Sequence, residues 1–428
     1  MSILILTIPI PIRKLVFFRL GKSLKPMLFL RREVNMAGTK NFFERKREWS
    51  MLKDELLEKY LEPYFEKIKR LNSDIAVIDC FAGKGRFDDG AEGSPIIILR
   101  KMSASRANYI AHAYFIEEKY ASELVINIAM YQGKYTLLKE SYQSNIDTIK
   151  GIFKGKNIFL YVDPYGIKTL DYRYFRQFKE SQCKTIELLL NFNTFGFLRE
   201  GCRLLLKNAP LIDDTEIVYE EDDTNSIENM NNIANGDYWQ SFISNFYSDR
   251  TKLKDIEIEF AKKYEAELRK IFKYVVNIPI THRITNIPKY RMYYGTNSDD
   301  GLFLMVDQMN RTWKNILQIS SQGQNELFDQ KSESSISSSL RVFFPIDFKK
   351  EIKKIFNVTP LINMRDLYIK IIEISGITYS VSEYRNEIKT LEKENCIRIL
   401  RENKKTVTGK ISHSLSFEKE NIFIERVN

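Results

Sequence analysis

An apolar run that stops at an acid and two glycines limits this chain more than any other stretch. Ile75, Ala76, Val77 and Ile78 lead into Asp79-Cys80-Phe81-Ala82-Gly83-Lys84-Gly85. Such a run reads as a buried parallel strand feeding a tight turn. Glycines there let a ligand approach the backbone, and the N-terminus of the next helix favours polar or anionic groups. This is the local architecture by which an open α/β sheet receives a nucleoside-bearing ligand at the carboxyl edge of its strands.

Size and charge set the frame around that turn. With 428 residues and a mass of 50.5 kDa, the chain is too long for one ordinary core and is expected to hold two or three domains. A hydrophobic fraction of 43% with 29% charged residues belongs to a soluble globular chain. The balance of 66 Lys+Arg against 56 Asp+Glu gives a net charge of +10. That is compatible with DNA or RNA, although no long basic run is present and many basic proteins bind neither. Cys80, Cys183, Cys202 and Cys396 lack metal-ligand or redox spacing, and His112, His282 and His413 lie far apart, so no metal site is expected. Unpaired cysteines without a clear export signal point to the cytoplasm.

Residues 1–36 form an N-terminal extension. Its apolar stretch is interrupted by Arg13, Lys14, Arg19, Lys22 and Lys25 and by prolines, so it falls short of a membrane span and no membrane partner is expected. A targeting peptide or surface anchor is one reading. A translation start placed too far upstream of Met36 is the one favoured here.

Along the rest of the chain, strands and helices alternate. Trp49, Leu52, Leu56, Leu57, Tyr60, Leu61, Tyr64, Phe65 and Ile68 recur at helical spacing before the first strand. Gly93-Ser94-Pro95 predicts a helix start with Ser94 as N-cap. Further strands are expected at 108–116, ending in Glu117, at 136–139, at 158–162, ending in Asp163-Pro164-Tyr165-Gly166, and at 185–192. The acidic, Asn-rich segment 213–235 reads as a mobile loop, and strands are expected at 275–281, 291–296 and 301–307. This pattern predicts a parallel sheet with right-handed crossovers, closed by an antiparallel pair. After a Ser/Gln-rich linker at 316–341, helices at 347–355, 364–375 and 380–394 and a hairpin of 397–401 with 405–410, turning at Asn403, predict a winged helix-turn-helix over 342–425.

Three acids at successive strand ends, with the glycine turn, occur in the order expected of a class I, S-adenosylmethionine-dependent methyltransferase over residues 37–315. In that reading Gly83 and Gly85 admit the cofactor, Asp79 orients its ammonium, Phe81 lies beside it, and Glu117 accepts the ribose hydroxyls. Lys53, one turn after Trp49 on the preceding helix, could pair with the cofactor's carboxylate; a solvated lysine beside a packed Trp is the plainer alternative. Asp163-Pro164-Tyr165 is similar to the Asp-Pro-Pro-Tyr signature of amino-methyltransferases, where the acid receives the target amine and the aromatic stacks on a flipped base. The second proline is missing and the aromatic comes one residue early, so a strand-ending turn is an equal reading. Arg385, Lys389, Lys393, Lys404 and Lys405 on the third helix and wing could hold phosphates, or the module could dock protein.

Together, Lys-x-x-Trp-Ser-x-x-Lys (46–53), Asp-x-Phe-Ala-Gly-x-Gly (79–85), Gly-Ser-Pro (93–95) and Asp-Pro-Tyr-Gly-Ile-Lys (163–168) resemble the three-Cys-motif partner proteins. The resemblance runs from Lys46 to about Trp313 and extends to the winged helix such proteins often carry. It implies a cytoplasmic bacterial or archaeal protein of mobile elements or phages, with a methyltransferase-like core and a radical-SAM-like partner bearing the three cysteines. Two rival expectations stand beside an enzyme: a non-catalytic adaptor of that partner, and a nucleotide-sensing DNA-binding regulator.

Overall fold

The computed structural model describes residues 46, 48–205, 226–248, 253–281, 287–322, 340–341, 343–402, 415–417 and 421–427. The N-terminal extension, Lys404, Lys405, the 405–410 strand with its Asn403 turn, and residues 323–339 of the expected linker lie outside them.

A helix, α1 (Glu48–Ile68), precedes β1 (Ile75–Asp79), whose five residues are all buried. Alternation then continues through α2 (Ser94–Ala104), β2 (Ala111–Ile116), α3 (Ala121–Ile128), β3 (Tyr135–Leu138), α4 (Ile146–Phe153), β4 (Asn157–Val162), α5 (Tyr172–Lys179) and β5 (Thr185–Phe192). Four helices follow, α6 (Thr194–Leu205), α7 (Ile227–Ala234), α8 (Tyr238–Ser248) and α9 (Leu253–Leu268), and then β6 (Tyr274–Ile280), β7 (Tyr290–Thr296) and α10 (Asp299–Gln322). The strands form one sheet in the order β3-β2-β1-β4-β5-β7-β6. Strands β1 to β5 pair in parallel, and β7 runs antiparallel to both β5 and β6. That order with a reversed seventh strand defines the class I methyltransferase-like fold.

The central strands are apolar on both faces because helices cover both. Ile75, Val77, Phe159 and Tyr161 point into a core shared with α1, α2 and α10, while Ala76, Ile78, Ile158, Leu160 and Val162 point into a second core with α4 to α9. Each fully enclosed large side chain contributes ~2 kcal/mol against the entropy of ordering it. Of the helical stripe predicted from spacing, the residues from Leu52 to Ile68 are buried.

Two expectations are corrected. The predicted strand at 301–307 is the first part of α10. Its apolar residues serve two neighbours, which fills both faces of the helix and makes a short window look strand-like. In the described half of the 213–235 segment, Ile227–Ala234 is the helix α7, capped by Ser226, whose hydroxyl accepts Asn229 N–H at 3.0 Å. Met230, Ile233 and Ala234 are buried at helical spacing, and Asn231 accepts the Trp239 indole N–H at 2.9 Å. An Asn-rich composition hid that stripe.

Beyond α10 come α11 (Phe348–Val358), β8 (Leu361–Asn363), α12 (Met364–Ser375), α13 (Val381–Lys393), β9 (Ile397–Arg401) and β10 (Ile422–Arg426). The three helices sit where the sequence places them. Ser380 and Glu383 form a reciprocal capping box at the start of α13. The strands pair antiparallel in the order β8-β10-β9, so the described partner of 397–401 is 422–426. Arg365 bonds Asp299 at 3.2 Å and Asp300 at 2.7 Å, Val381 N–H donates to Asp307 at 2.8 Å, and Phe303 packs its ring on Tyr368 at 5.0 Å. The first core therefore continues without a break through α10 into these helices.

Candidate functional site

The glycine turn is built by contacts between backbone and short side chains. Ala82 N–H donates to Ile116 O at 3.1 Å and Cys80 N–H to Tyr161 O at 2.9 Å, tying the end of β1 to β2 and β4. Gly83 and Gly85 adopt φ of 62° and 77°, a region that side-chained residues avoid. A Cβ on Gly85 would meet Leu124 Cδ1 at 2.8 Å. Gly93 N–H donates to Gly85 O at 2.9 Å, and a Cβ on Gly93 would press on that oxygen at 3.1 Å.

Ser94 is not the N-cap. Gly93 holds that position in extended geometry, and the Ser94 hydroxyl donates to Asp79 Oδ2 at 2.6 Å. Gly-Ser-Pro thus does three things: close approach to the turn, a bond to the strand-end acid, and a proline at the first helical turn. Asp79 is fully enclosed, and its Oδ1 accepts Phe81 N–H at 3.2 Å. Burial pushes its carboxyl up to about 7, against the opposing pull of Ser94 and the Phe81 N–H. In this arrangement Asp79 shapes the turn from behind.

Glu117 sits at the end of β2 and is buried. Its Oε2 accepts Gly83 N–H at 2.7 Å, and its Oε1 accepts Lys119 N–H and Tyr120 N–H, each at 2.9 Å. A carboxylate has about four acceptor positions, so three are committed and one remains on Oε2. Glu117 therefore joins the glycine turn to the start of α3. Phe81 is half-buried, with its ring 5.4 Å from that of Tyr142.

Lys53 departs from the solvated-lysine expectation: it is buried, and it reaches Asp163. Its ammonium donates to Asp163 Oδ1 at 2.9 Å and Oδ2 at 2.6 Å, and lies 5.3 Å from the centre of the Tyr290 ring. Asn191 Nδ2 donates to Asp163 Oδ1 at 2.7 Å, and the Tyr161 hydroxyl to Oδ2 at 3.2 Å. Burial works against the charge on Lys53, but Asp163 and Tyr290 outweigh it and raise its pKa above the ordinary value. Asn191 Oδ1 is buried and has no hydrogen-bond partner among the described residues. Behind the pair, Asp54 bonds Lys46 at 2.5 Å, and burial lifts its carboxyl to about 6.

Asn191, Tyr161 and Tyr290 were not singled out from sequence. The only signal was a polar residue near the end of the apolar β5 run, at the sheet edge where the other acids lie. Pro164 is partly exposed, and Tyr165 is 44% exposed on the turn whose Gly166 has φ 76°.

The structure brings Asp79, Gly83, Gly85, Glu117, Lys53 and Asp163 to one edge of the sheet. The basic residues of the C-terminal helix are separate from it. Arg385 is engaged locally, donating to Leu415 O at 2.9 Å and lying 5.2 Å from the Phe417 ring, whereas Lys389 and Lys393 are exposed on α13. Among the described residues no group of three or more His, Cys, Asp or Glu side chains could hold a metal ion, and no helix is long and apolar enough to cross a membrane.

No family model matches this sequence, and no curated protein does. Among solved structures, the chain is similar to a proposed methyltransferase, yhhF, from Escherichia coli, with 17% identity, coverage of 36% of this chain and 72% of that one, and a TM-score of 0.22. It is also similar to a spermidine synthase in complex with the transition-state analogue AdoDATO, with 9% identity, coverage of 71% and 73%, and a TM-score of 0.32. The spermidine synthase from Thermotoga maritima gives 10% identity, coverage of 71% and 74%, and a TM-score of 0.32. Likenesses this faint add nothing to the fold that the strand order already defines.

Proposed function

We propose that this chain is an S-adenosylmethionine-dependent methyltransferase acting on a base amine of DNA or RNA. The observation that carries the reading is the convergence, at the carboxyl edge of β1, β2 and β4, of a glycine turn, a carboxylate with one acceptor position left, and a lysine–aspartate pair. The residues fit the cofactor. Glu117 Oε2 can accept a ribose hydroxyl, Lys53 can take a carboxylate, and the positive-φ glycines leave the turn backbone open to approach. The cofactor would supply an electrophilic methyl group. Transfer to an amine needs in-line positioning and a polar partner for the charge that develops, without further covalent help from the protein. Asn191 Oδ1, beside Asp163 and without a hydrogen-bond partner among the described residues, is the acceptor at hand, and the partly exposed Tyr165 ring can stack on a base.

The net charge of +10 and the exposed Lys389 and Lys393 support a nucleic-acid substrate held by the C-terminal module, which in this reading is a winged helix. A cytoplasmic setting and a radical-SAM-like three-Cys partner remain part of the proposal through the motif resemblance. One observation favours the adaptor reading: the four acceptor positions of Asp163 are filled from within the protein. Calorimetry with S-adenosylmethionine tests the site. Binding that is lost in Glu117→Ala while circular dichroism is unchanged supports it, and absence of binding ends it. Transfer of labelled methyl to DNA or RNA separates enzyme from adaptor.

A further inference from the structure

Asp163 has no acceptor position to spare. Lys53 takes one on each oxygen, Asn191 a second on Oδ1 and Tyr161 a second on Oδ2. An amine arriving at this carboxylate would have to displace a donor. The three donors differ in how readily they leave. Tyr161 and Asn191 are fixed on buried strands, whereas Lys53 holds a compact charge at the end of a flexible four-carbon stem. Beside them lies Asn191 Oδ1, a buried acceptor with no hydrogen-bond partner among the described residues. Buried acceptors are costly to leave unsatisfied, and this one lies next to the carboxylate that the lysine blocks.

We infer that Lys53 is a movable cation: a ligand carboxylate draws it off Asp163, and only then do Asp163 and Asn191 offer acceptors to an amine. This rests on the cofactor reading above and adds to it an order of binding. The exchange leaves the count of ion pairs unchanged, because Lys53 trades one carboxylate for another. It vacates two acceptor positions on Asp163, whose side chain is 21% exposed and so already opens toward the sheet edge. With the unpaired Asn191 oxygen, the vacated positions suit a neutral amine, which donates two hydrogens. Asp163 thus acts as an internal competitor for the cation that a carboxylate-bearing ligand needs.

Two ligands differing in their tails test this: S-adenosylhomocysteine, which carries a carboxylate, and adenosine, which does not. Asp163→Asn removes the competitor's charge while keeping its shape. S-adenosylhomocysteine should then bind about tenfold tighter than to the wild type, with adenosine unchanged. Equal or weaker binding of S-adenosylhomocysteine by a folded Asp163→Asn protein overturns the inference, since Asp163 would then be a direct ligand contact or a bystander. Should that variant fail to fold, Lys53→Arg keeps the charge but can grip Asp163 with a planar fork. It should weaken S-adenosylhomocysteine and spare adenosine, and an unchanged ratio of the two affinities overturns the inference. A wild-type protein that binds neither ligand removes the cofactor reading and this inference with it, whereas binding without these ratios removes the inference alone.

Discussion

Two ion pairs in the sheet domain show how differently the fold uses opposite charges. Arg291 on β7 and Glu257 on α9 meet through two bonds of 2.7 Å, with side-chain exposures of 2% and 0%. Asn277 accepts from a third guanidinium N–H at 2.7 Å, and Thr194 donates to Glu257 at 3.0 Å, so the pair clamps four elements together. Lys53 and Asp163 are 9% and 21% exposed at the sheet edge, and only one of the two partners is fixed on the sheet. A planar fork buried on all sides locks geometry; a point charge at a rim can be exchanged.

The largest effect should come from breaking the buried clamp. Arg291→Ala leaves Glu257 uncompensated and should cost about 3–5 kcal/mol, read as a lowered urea midpoint. Titration should then expose a third class of charge, the buried carboxyls that form no salt bridge among the described residues. Burial lifts Asp79 to about 7 and Glu187, held by Tyr60 and Tyr294, also to about 7. Their folded values lie above the unfolded ones, so the folded state binds more protons and stability falls as pH rises from about 4 to 7. Asp79→Asn or Glu187→Gln should each flatten the loss between about pH 4 and 7, by on the order of 3 kcal/mol. An unchanged pH slope in both variants would show that these carboxyls are already ionised.

Gly85→Ala comes next, at about 1–2 kcal/mol, because its φ of 77° is strained for any side chain and Leu124 must shift. Asp163→Asn should cost less, about 1 kcal/mol, since the Asn oxygen still accepts from Lys53 and position 163 is partly open to water. If denaturation shows a loss equal to that of Arg291→Ala, the contrast between the two pairs collapses. Smallest of all is Lys389→Ala with Lys393→Ala. Stability should stay within about 0.5 kcal/mol, while the salt slope of DNA affinity should drop by about 2.

Much of the sheet was legible because its strands carry strong local signals. The β1 run ending at Asp79 and the β4 run ending at Asp163 are apolar on both faces, and both stop at an acid. What was missed depends on partners far away in sequence. Residues 301–307 look like a strand in a short window, yet Leu302, Phe303, Met305, Val306 and Met309 form a helix enclosed between the sheet domain and the C-terminal helices. The site was half legible. Glu117 and Asp163 announce themselves as acids at strand ends, but the donors that join them to the glycine turn and to α1, Gly83 and Lys53, lie 34 and 110 residues away, and no local pattern records that. Ser94 was misassigned for the same reason: its hydroxyl answers to Asp79, not to its own helix.

One further consequence comes from α10. It packs on α1 and β6 in the sheet domain, while its Asn310 side chain donates to Ile377 O at 3.1 Å and its Phe303 ring meets Phe417 at 5.6 Å. A single rod with the sheet domain and the C-terminal helices both bolted to it works as a jig. Under the proposed function, a nucleic acid gripped by the exposed lysines of α13 would meet the glycine turn at a distance and angle that this rod sets.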